Sequence, residues 1–298
     1  MILSLIAPAG ALDPVAVASI AQRGPLGAAR WLSPGEACDV AIRGSEVEAR
    51  AAVAAALDAD RIDVNVLPAA GRRKRLLVAD MESTLIENEM IDELAETIGI
   101  GEEVREITWR AMNGELDFRD ALRERVALLA GLPVDRLEDV AARIRLMPGA
   151  PTLVATMRAH GAFTAIVSGG FLVFTRLVRR WLGTDYDEGN DLEIAAGALT
   201  GEVREPVLNR DGKVDALRRL SARLGIGVDA AIAVGDGAND VPMLQTAGMG
   251  VAFRAKPAVA AEARLRIAHG DLTALLFLQG YERAAFVTPE PAGRPAAT

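Results

Sequence analysis

The sequence predicts an α/β protein with a doubly wound parallel sheet, a helical insertion within it and a smaller α+β domain before it. Short apolar runs at 76–79, 162–167 and 231–234 each end in a polar residue or glycine and precede a helical pattern. Such runs are typical of parallel strands buried on both faces and joined by right-handed helical crossovers. About eighty residues without a strand signal separate the first run from the second, which indicates an inserted helical cap.

The first seventy residues predict a separate small domain. Their pattern alternates between strand and helix in a βαββαβ order, with elements at 3–6, 14–22, 29–32, 39–42, 46–57 and 62–67. That order fits a small sheet with helices on one side, an ACT-like arrangement that metabolite-sensing modules share with inert ones. The run at 71–75, with four basic residues, then interrupts the pattern and favours a solvated linker over a binding patch.

The cap is expected to consist of helices because its apolar residues, such as Ile91, Leu94 and Ile98, recur at helical spacing. One helix is predicted to begin after Asp117, a favourable N-cap, and to close at Gly131. The C-terminal segment is poor in large apolar residues and is expected to be disordered. The expected division is an N-terminal domain at 1–70, a linker at 71–75, a core at 76–85 and 146–284, a cap at 86–145 and a tail at 285–298.

Composition excludes several classes of protein. Of the 298 residues, 51% are hydrophobic, which suffices for a large core and excludes global disorder. A formal net charge of −8 leaves no broad positive field for nucleic acid or an anionic membrane. Cys38 has no cysteine partner in the chain and suits a reducing compartment. Because the N-terminus also lacks the positive charge of a signal peptide, a cytoplasmic protein without nucleic-acid or membrane partners is expected.

Polar residues occur where three predicted strands end, the place where an open parallel sheet gathers its ligands. Asp80 and Asp236 follow the first and third strands, Ser168 follows the second, and Lys213 precedes the third. Two acids, an ammonium group, a hydroxyl and glycine amides can hold a divalent cation beside a phosphate. The Asp80 carboxylate can attack phosphorus to give an acyl phosphate, and two anions in contact require a hard cation such as Mg²⁺.

The remaining groups of a two-step phosphoester hydrolysis are also present. Lys213, Ser168 and the backbone amide of Gly169 can meet the charge on the phosphoryl oxygens. The leaving oxygen needs a proton and the attacking water must lose one, and Glu82, two residues after Asp80, is placed to perform both tasks. The predicted carboxylate ligands of Mg²⁺ are those of Asp80 and Asp236.

Four segments in order resemble the haloacid dehalogenase superfamily of phosphotransferases. They are Asp80–Ile86, Gly114–Phe118, Val167–Phe171 and Gly235–Asp240, and the resemblance extends from about 75 to 281. It implies that Asp80 is the nucleophile, that Ser168 and Lys213 hold phosphate, and that Asp236 binds Mg²⁺. It further implies roles for the Glu82 backbone carbonyl as a metal ligand, for Asn239 as a phosphate contact, and for Asp240 as a carboxylate that supports the ligands.

Within the superfamily, the sequence is most similar to phosphatases that act on O-phospho-L-serine, which implies this small-molecule substrate and a role in serine biosynthesis. In those enzymes a Glu after the nucleophile meets the substrate ammonium and an Arg in the cap meets its carboxylate. Glu89 and Arg125 occupy these positions, and Phe118 and Met112 would close the site. Phe118 and Arg125 are seven residues apart and would share one face of a helix. A homodimer is the default expectation for the assembly.

One position departs from the family pattern, which carries Asp where this chain has Glu82. The added methylene extends the carboxyl by roughly 1.5 Å. Three interpretations are open: the local backbone adjusts and Glu82 is the general acid and base, turnover is slow, or an intermediate persists. Three alternative functions are open as well: a phosphatase for another small phosphomonoester, a slow phosphate-retaining sensor, and a phosphotransferase that uses an alcohol as acceptor.

Overall fold

The computed structural model describes residues 1–21, 25–58, 61–112 and 115–289, with the backbone alone described for Ala21 and Met112. The N-terminal domain has the predicted βαββαβ order. Its elements are β1 (Ile2–Ile6), α1 (Pro14–Ala21), β2 (Leu26–Ser33), β3 (Ala37–Ile42), α2 (Glu46–Ala54) and β4 (Asp63–Leu67). They form an antiparallel sheet in the order β2-β3-β1-β4. Because strand side chains alternate, Leu3 and Leu5 pack with the helices while Ile2 and Ile6 join the core of the larger domain.

The larger domain is built on the predicted parallel sheet, which has six strands in the described structure. Its strands are β5 (Leu76–Ala79), β6 (Phe163–Phe171), β7 (Tyr186–Asn190), β10 (Ala231–Gly235), β11 (Met249–Phe253) and β12 (Leu265–Ile267), and the hairpin strands are β8 (Leu192–Ala195) and β9 (Ala198–Val203). The sheet order is β12-β11-β10-β5-β6-β7. Alternate residues of β5 enter two different apolar clusters, so the strand is buried on both faces as predicted.

Helices cover the sheet and form the insertion after β5. The cap helices are α3 (Met90–Ile98), α4 (Gly101–Met112), α5 (Phe118–Ala127) and α6 (Asp135–Ala141), and the others are α7 (Ala150–Ala159), α8 (Leu172–Leu182), α9 (Arg210–Arg223), α10 (Val241–Thr246), α11 (Pro257–Glu262) and α12 (Ala274–Leu278). The chain enters and leaves the cap where Ile86 forms an isolated bridge with Leu146. Helix α3 buries Met90, Ile91 and Leu94 on one face, in agreement with the predicted helix, whereas Ile98 at its end is exposed.

Helix α5 confirms one predicted boundary and corrects the other. The Asp117 carboxylate accepts the Asp120 N–H at 2.9 Å and caps the helix as predicted. The helix ends at Ala127 rather than near Gly131. The Gly131 N–H donates instead to the Leu199 carbonyl at 2.8 Å, because the hairpin of β8 and β9, which the sequence did not predict, packs against this part of the cap.

The basic run at 71–75 is exposed at Arg73 and Arg75, but Arg72 is not the solvated residue that the sequence predicts. Arg72 is buried, pairs with Asp39 of β3, and donates to the Leu278 and Phe277 carbonyls at 2.8 Å each. Arg73 lies over the Tyr281 ring, 3.3 Å from its centroid. The prediction is wrong for Arg72 because the facing domain surfaces bury a carboxylate, and a buried charge requires a hydrogen-bonded partner.

Strand β4 adds polar contacts to the same domain interface. The buried Asp63 carboxylate accepts the backbone N–H groups of Ala268 at 2.6 Å and Gly270 at 2.9 Å. The Asn65 side chain exchanges two hydrogen bonds of 2.8 Å with the backbone of Arg266. The N-terminal sheet is therefore fixed to the larger domain by buried polar contacts as well as by its apolar face.

The packed chain extends beyond residue 285, where the sequence predicts a disordered tail. The Phe286 ring lies 5.0 Å from the Phe277 ring, and the Val287 N–H donates to Thr156 Oγ1 at 2.9 Å. Residues 285–287 thus belong to the packed structure, because Ala285 and Phe286 pack against the apolar core and the Val287 backbone is hydrogen-bonded. The predicted tail at 290–298 lies outside the described residues. In the described part of the chain, no helix has the length and apolar character needed to cross a bilayer.

Arg72→Ala tests the buried domain contact. The substitution leaves the Asp39 carboxylate buried and unpaired, so we expect the free energy of unfolding to fall by about 3–5 kcal/mol in urea denaturation. Arg30→Ala is the matched control, because the Arg30–Glu282 pair also joins the two domains but both side chains are more than half exposed. Its expected loss is below about 1 kcal/mol. Equal losses of unfolding free energy in the two variants would contradict a special contribution of the buried Arg72–Asp39 contact.

Candidate active site

The parallel sheet brings three predicted site residues to one edge. Asp80 directly follows β5, which lies between β10 and β6 in the sheet. Asp236 directly follows β10, and Ser168 lies in the last part of β6. Asp80 and Ser168 are buried, whereas Asp236 is partly accessible. The strand-end positions that the sequence singled out therefore converge at the carboxyl edge of the sheet.

Lys213 is the cation of this edge. It lies in the first part of α9, where Asn209 caps the helix by accepting the N–H groups of Asp211 and Gly212. The fully buried ammonium group contacts the Asp80 carboxylate at 2.8 Å and the Asp240 carboxylate at 2.6 Å. Burial alone would lower the pKa of Lys213, but the two carboxylates outweigh it and raise the pKa, so the lysine is charged.

Three carboxylates form an acidic cluster around that cation. Ligand oxygens of Asp80, Asp236 and Asp240 lie within 4.8 Å of one another. Burial and the nearby Asp80 charge raise the pKa of Asp236 to about 6, and the same causes raise the pKa of Asp240 to about 7. One lysine therefore leaves negative charge uncompensated here. A hard divalent cation fits this oxygen donor set, because it would supply the missing positive charge.

The cluster is further organised by hydrogen bonds. The Asp80 carboxylate accepts the Met81 N–H at 2.7 Å, and Asp236 accepts the Thr84 hydroxyl at 3.1 Å. Asp240 accepts the Gly237 N–H at 3.0 Å with the oxygen that Lys213 does not contact. These contacts fix the direction of each carboxylate before any ligand binds.

Ser168 and Gly169 lie on the other side of Asp80. The Ser168 hydroxyl oxygen accepts the Gly170 N–H at 3.0 Å, which leaves its proton free to donate. Gly169 has little room for a side chain toward the cap, because an added Cβ would lie 3.1 Å from the Phe118 ring. The Gly169 carbonyl accepts the side-chain amide of Asn190 at 2.7 Å.

Asn190 is a site residue that sequence reasoning missed. It is buried at the end of β7, and its amide oxygen accepts the Leu208 N–H at 2.7 Å. It thereby joins the Gly169 end of β6 to the segment that leads into α9 and Lys213. No local pattern marks this residue, since its partners are 18 and 21 positions away along the chain.

The Glu82 carboxylate is directed at the start of the cap. It accepts the N–H of Met90, the first residue of α3, at 2.9 Å. It also lies against Gly170, where an added Cβ would be 2.5 Å from Glu82 Oε2. Burial, followed by the charges of Glu89 and Asp80, raises the pKa of Glu82 to about 8. The raised pKa favours the protonated carboxyl, the form that can donate a proton.

The cap places Glu89 and Arg125 near Glu82. Ser83, in a left-handed conformation with φ of 52°, donates its hydroxyl to Glu89 at 2.6 Å. Burial lowers the pKa of Arg125, and the charges of Glu82, Asp92 and Glu89 oppose this effect. Arg125 therefore lies close enough to Glu82 and Glu89, the two acids predicted for the site, for their charges to affect it. Ser83 lies in the motif Asp80–Ile86, but the sequence did not predict its hydrogen bond with Glu89.

Three further residues were predicted to belong to the site. Phe118 begins α5 and is partly buried against the apolar core, with its ring beside Gly169, and it therefore shares the cap with Arg125 as predicted. Asn239 is partly accessible, and its amide oxygen lies against Gly237. The Met112 side chain lies outside the described residues, so its predicted contact with substrate stays a prediction.

Comparison with known families agrees with this geometry. Residues 77–245, more than half of the chain, match the family model described as haloacid dehalogenase-like hydrolase. The chain belongs to that family. The resemblance found in the four sequence motifs and the predicted fold class are thereby confirmed for this hydrolase.

Named relatives of the hydrolase are phosphoserine phosphatases. Phosphoserine phosphatase SerB2 of Mycobacterium tuberculosis is 46% identical over 214 residues, which cover 72% of this chain and 52% of that protein. The chain thus matches about half the length of that relative. Phosphoserine phosphatase of Lactococcus lactis is 47% identical, with 68% of this chain and 94% of the relative covered. The crystal structure of a probable phosphoserine phosphatase from Vibrio cholerae is 33% identical, with a TM-score of 0.78 and coverage of 95% and 87%.

Gly170→Ala tests the placement of the Glu82 carboxyl in this hydrolase. The new methyl group would overlap Glu82 Oε2, so we expect displacement of the carboxyl and a fall of about tenfold or more in phosphate release from p-nitrophenyl phosphate. The double variant Gly170→Ala/Glu82→Asp is the control, because a side chain shorter by roughly 1.5 Å makes room for the methyl group. It should release phosphate faster than Gly170→Ala alone. If the two substitutions changed the rate of phosphate release independently of each other, the Glu82 carboxyl would not lie against Gly170.

Proposed function

We propose that the hydrolase is a Mg²⁺-dependent phosphatase that converts O-phospho-L-serine to L-serine and phosphate. The observation that carries the proposal is the position of the Arg125 guanidinium and the Glu89 carboxyl in the cap, where Arg125, Glu89 and Glu82 act on one another electrostatically and Asp80 acts on both acids. The names of the relatives support the same activity. Serine biosynthesis in the cytoplasm is part of this proposal, and the homodimer stays a prediction.

Asp80 is the nucleophile of the proposed reaction. Its two oxygens are held by the Met81 N–H and the Lys213 ammonium, so the carboxylate is oriented before substrate binds. Attack on phosphorus forms the Asp80–phosphate bond while the bond from phosphorus to the serine oxygen breaks. Lys213, the Ser168 hydroxyl and the amide of Gly169 balance the charge on the transferred group, and Asn239 contributes a further contact.

Glu82 moves the protons of both steps. The Glu82 carboxyl, whose raised pKa favours the protonated form, donates a proton to the departing serine oxygen. The resulting carboxylate then accepts a proton from the water that hydrolyses the acyl phosphate. Its contact with the Met90 N–H supports the first of the three interpretations, in which Glu82 replaces the usual Asp in function. The carboxyl reaches toward both the cap and Gly170, and Asp80 keeps its own contacts.

The carboxylates of Asp80 and Asp236 and the backbone carbonyl of Glu82 would hold the Mg²⁺ ion. When bound, Mg²⁺ neutralises charge on the phosphate and the attacking carboxylate so that the two can approach. Asp240 supports the cluster through Lys213 and the Gly237 N–H. The raised pKa values of Asp236 and Asp240 support the need for that additional positive charge.

The cap selects the substrate. Glu89 pairs with the substrate ammonium and Arg125 with its carboxylate, which distinguishes an amino acid phosphate from a simple phosphomonoester. The Phe118 ring beside Gly169 excludes water from the phosphate, with Met112 assigned to the same wall from the family pattern. Substrate must enter past these residues, so cap motion is part of turnover.

Glu82→Gln tests the two-step mechanism with p-nitrophenyl phosphate, whose leaving group needs no general acid. The first step should proceed and the second should stall, because the water then lacks its base. We expect a burst of one p-nitrophenolate per protein and a steady-state rate lower than that of the parent by about a hundredfold or more. Stopped-flow absorbance measures the burst, and mass spectrometry after acid quench locates the phosphate on Asp80.

Asp80→Asn is the control and should show neither burst nor label. A parental steady-state rate for Glu82→Gln would remove Glu82 from the mechanism. With phosphoserine and the parent protein, a single turnover without further release would support the phosphate-retaining sensor. Transfer of phosphate to an added alcohol, in preference to water, would support the phosphotransferase.

Arg125→Ala tests the substrate assignment. Phosphoethanolamine has the phosphate and the ammonium of phosphoserine but lacks the carboxylate. We expect kcat/KM for phosphoserine to fall by about 10- to 100-fold, the cost of one lost contact between charged groups, with a much smaller fall for phosphoethanolamine. Arg123→Ala on the same helix is the matched control, because Arg123 pairs with Glu205 at the surface. Equal losses on both esters would favour another phosphomonoester as the substrate.

A further inference from the structure

Arg125 differs from the neighbouring arginines of the cap in the kind of partner it contacts. Its Nη1 donates to Thr108 Oγ1 at 3.4 Å and its Nε donates to the Ala121 carbonyl at 3.2 Å, and both acceptors are neutral. Arg110 and Arg123, by contrast, contact the Glu124 and Glu205 carboxylates at 3.0 and 2.5 Å.

Carboxylates surround Arg125 without pairing with it. Glu82, Asp92 and Glu89 all influence its pKa, yet over the described ranges none of the ion pairs within 4.0 Å involves Arg125. Its charge is therefore not neutralised by direct contact with the protein. A partly buried guanidinium in this state still requires hydrogen-bond acceptors to hold it in place.

Thr108 is suited to be such an acceptor. It lies on α4, which packs against α5, and its hydroxyl donates to the Val104 carbonyl at 2.9 Å. The single proton of the hydroxyl is thereby used within α4, so only its lone pairs face Arg125. The backbone contact of Arg125 to Ala121 lies within its own helix, whereas Thr108 fixes the guanidinium relative to a second helix.

We propose that Thr108 is a positioning residue that aims Arg125 at the substrate carboxylate while leaving the charge of the guanidinium free. This inference rests on the proposed function. A carboxylate at position 108 would also orient Arg125, but it would neutralise the charge and compete with the substrate. A residue without an acceptor would leave the charge free but the side chain unfixed. Thr108 provides orientation without neutralisation, and so lowers the entropic cost of binding the carboxylate.

Thr108→Val tests the role, because it removes the acceptor and keeps the β-branched shape. We expect KM for phosphoserine to rise by about tenfold with kcat within about twofold, and kcat/KM for phosphoethanolamine to change by less than about twofold. Thr108→Ser retains the hydroxyl and should return KM for phosphoserine to within about threefold of the parent value.

Thr97→Val is the matched control. Thr97 lies on cap helix α3 and donates to the Leu94 carbonyl at 2.6 Å, so this variant also removes a hydroxyl that bonds within its own helix. It should leave KM for phosphoserine unchanged. Thermal unfolding of all three variants checks that the cap remains folded.

The outcomes separate this inference from the proposed function. A parent protein that prefers phosphoserine, together with an unchanged KM in Thr108→Val, overturns the role of Thr108 alone. Equal losses on both esters, or failure of Thr108→Ser to restore KM, also overturn it by showing a structural role in the cap. A parent that does not hydrolyse phosphoserine, or hydrolyses it no better than phosphoethanolamine, overturns both proposals together.

Discussion

The contact of one fully buried ammonium group, that of Lys213, with the carboxylates of Asp80 and Asp240 is the constraint on which the rest of the site depends. Removing three charges from water is costly, and only close pairing with satisfied hydrogen bonds offsets the cost. Pairing requires the end of β5, the segment after β10 and the start of α9 to lie close enough for the Lys213 side chain to contact both carboxylates at 2.8 and 2.6 Å, which the parallel sheet and the capped helix achieve together. Lysine, with a compact charge and a flexible stem, can contact both acids at once.

Glu82 shows how a longer side chain can occupy a position where the family has Asp. Its carboxyl lies over Gly170, where the absence of Cβ leaves the space, and it contacts the N-terminus of α3 through the Met90 N–H. Asp80 keeps its contacts with Met81 and Lys213, so the added length is taken up beside the nucleophile rather than by displacing it. The positive end of a helix dipole favours a negative group at this point, whereas burial favours the protonated one. These opposed effects suit a group that must exchange a proton twice per cycle.

The core strands and the strand-end residues were predictable because they depend on local signals. A short apolar run followed by Asp or Ser marks a buried parallel strand and its functional end, as at Asp80 and Ser168. Strand β7 and the hairpin of β8 and β9 were missed, and their sequences are rich in polar residues and glycine, as in Tyr186–Asn190. The short apolar strands β11 and β12 were not predicted either. Asn190, Thr108 and the burial of Arg72 were beyond prediction for a different reason: each depends on a partner brought close only by tertiary packing. The sequence alone predicts that a run of charged residues such as 71–75 is solvated, because it does not reveal the surface that packs against Arg72.

The contacts of the N-terminal domain reach the point where the cap joins the core. Asp63 holds the backbone at 268–270, and the next residues pack on the cap return, with the Leu272 N–H donating to the Pro148 carbonyl at 3.1 Å. Gly149 is confined there, since an added Cβ would lie 2.7 Å from the Thr273 nitrogen. The Met147 N–H in turn donates to the Leu85 carbonyl at 2.9 Å beside the bridge through which the chain enters the cap. A cap that moves during turnover must bend near this bridge, because the chain crosses there in both directions. The hydrogen bonds that begin at Asp63 in the N-terminal sheet therefore lead to the core side of this bridge.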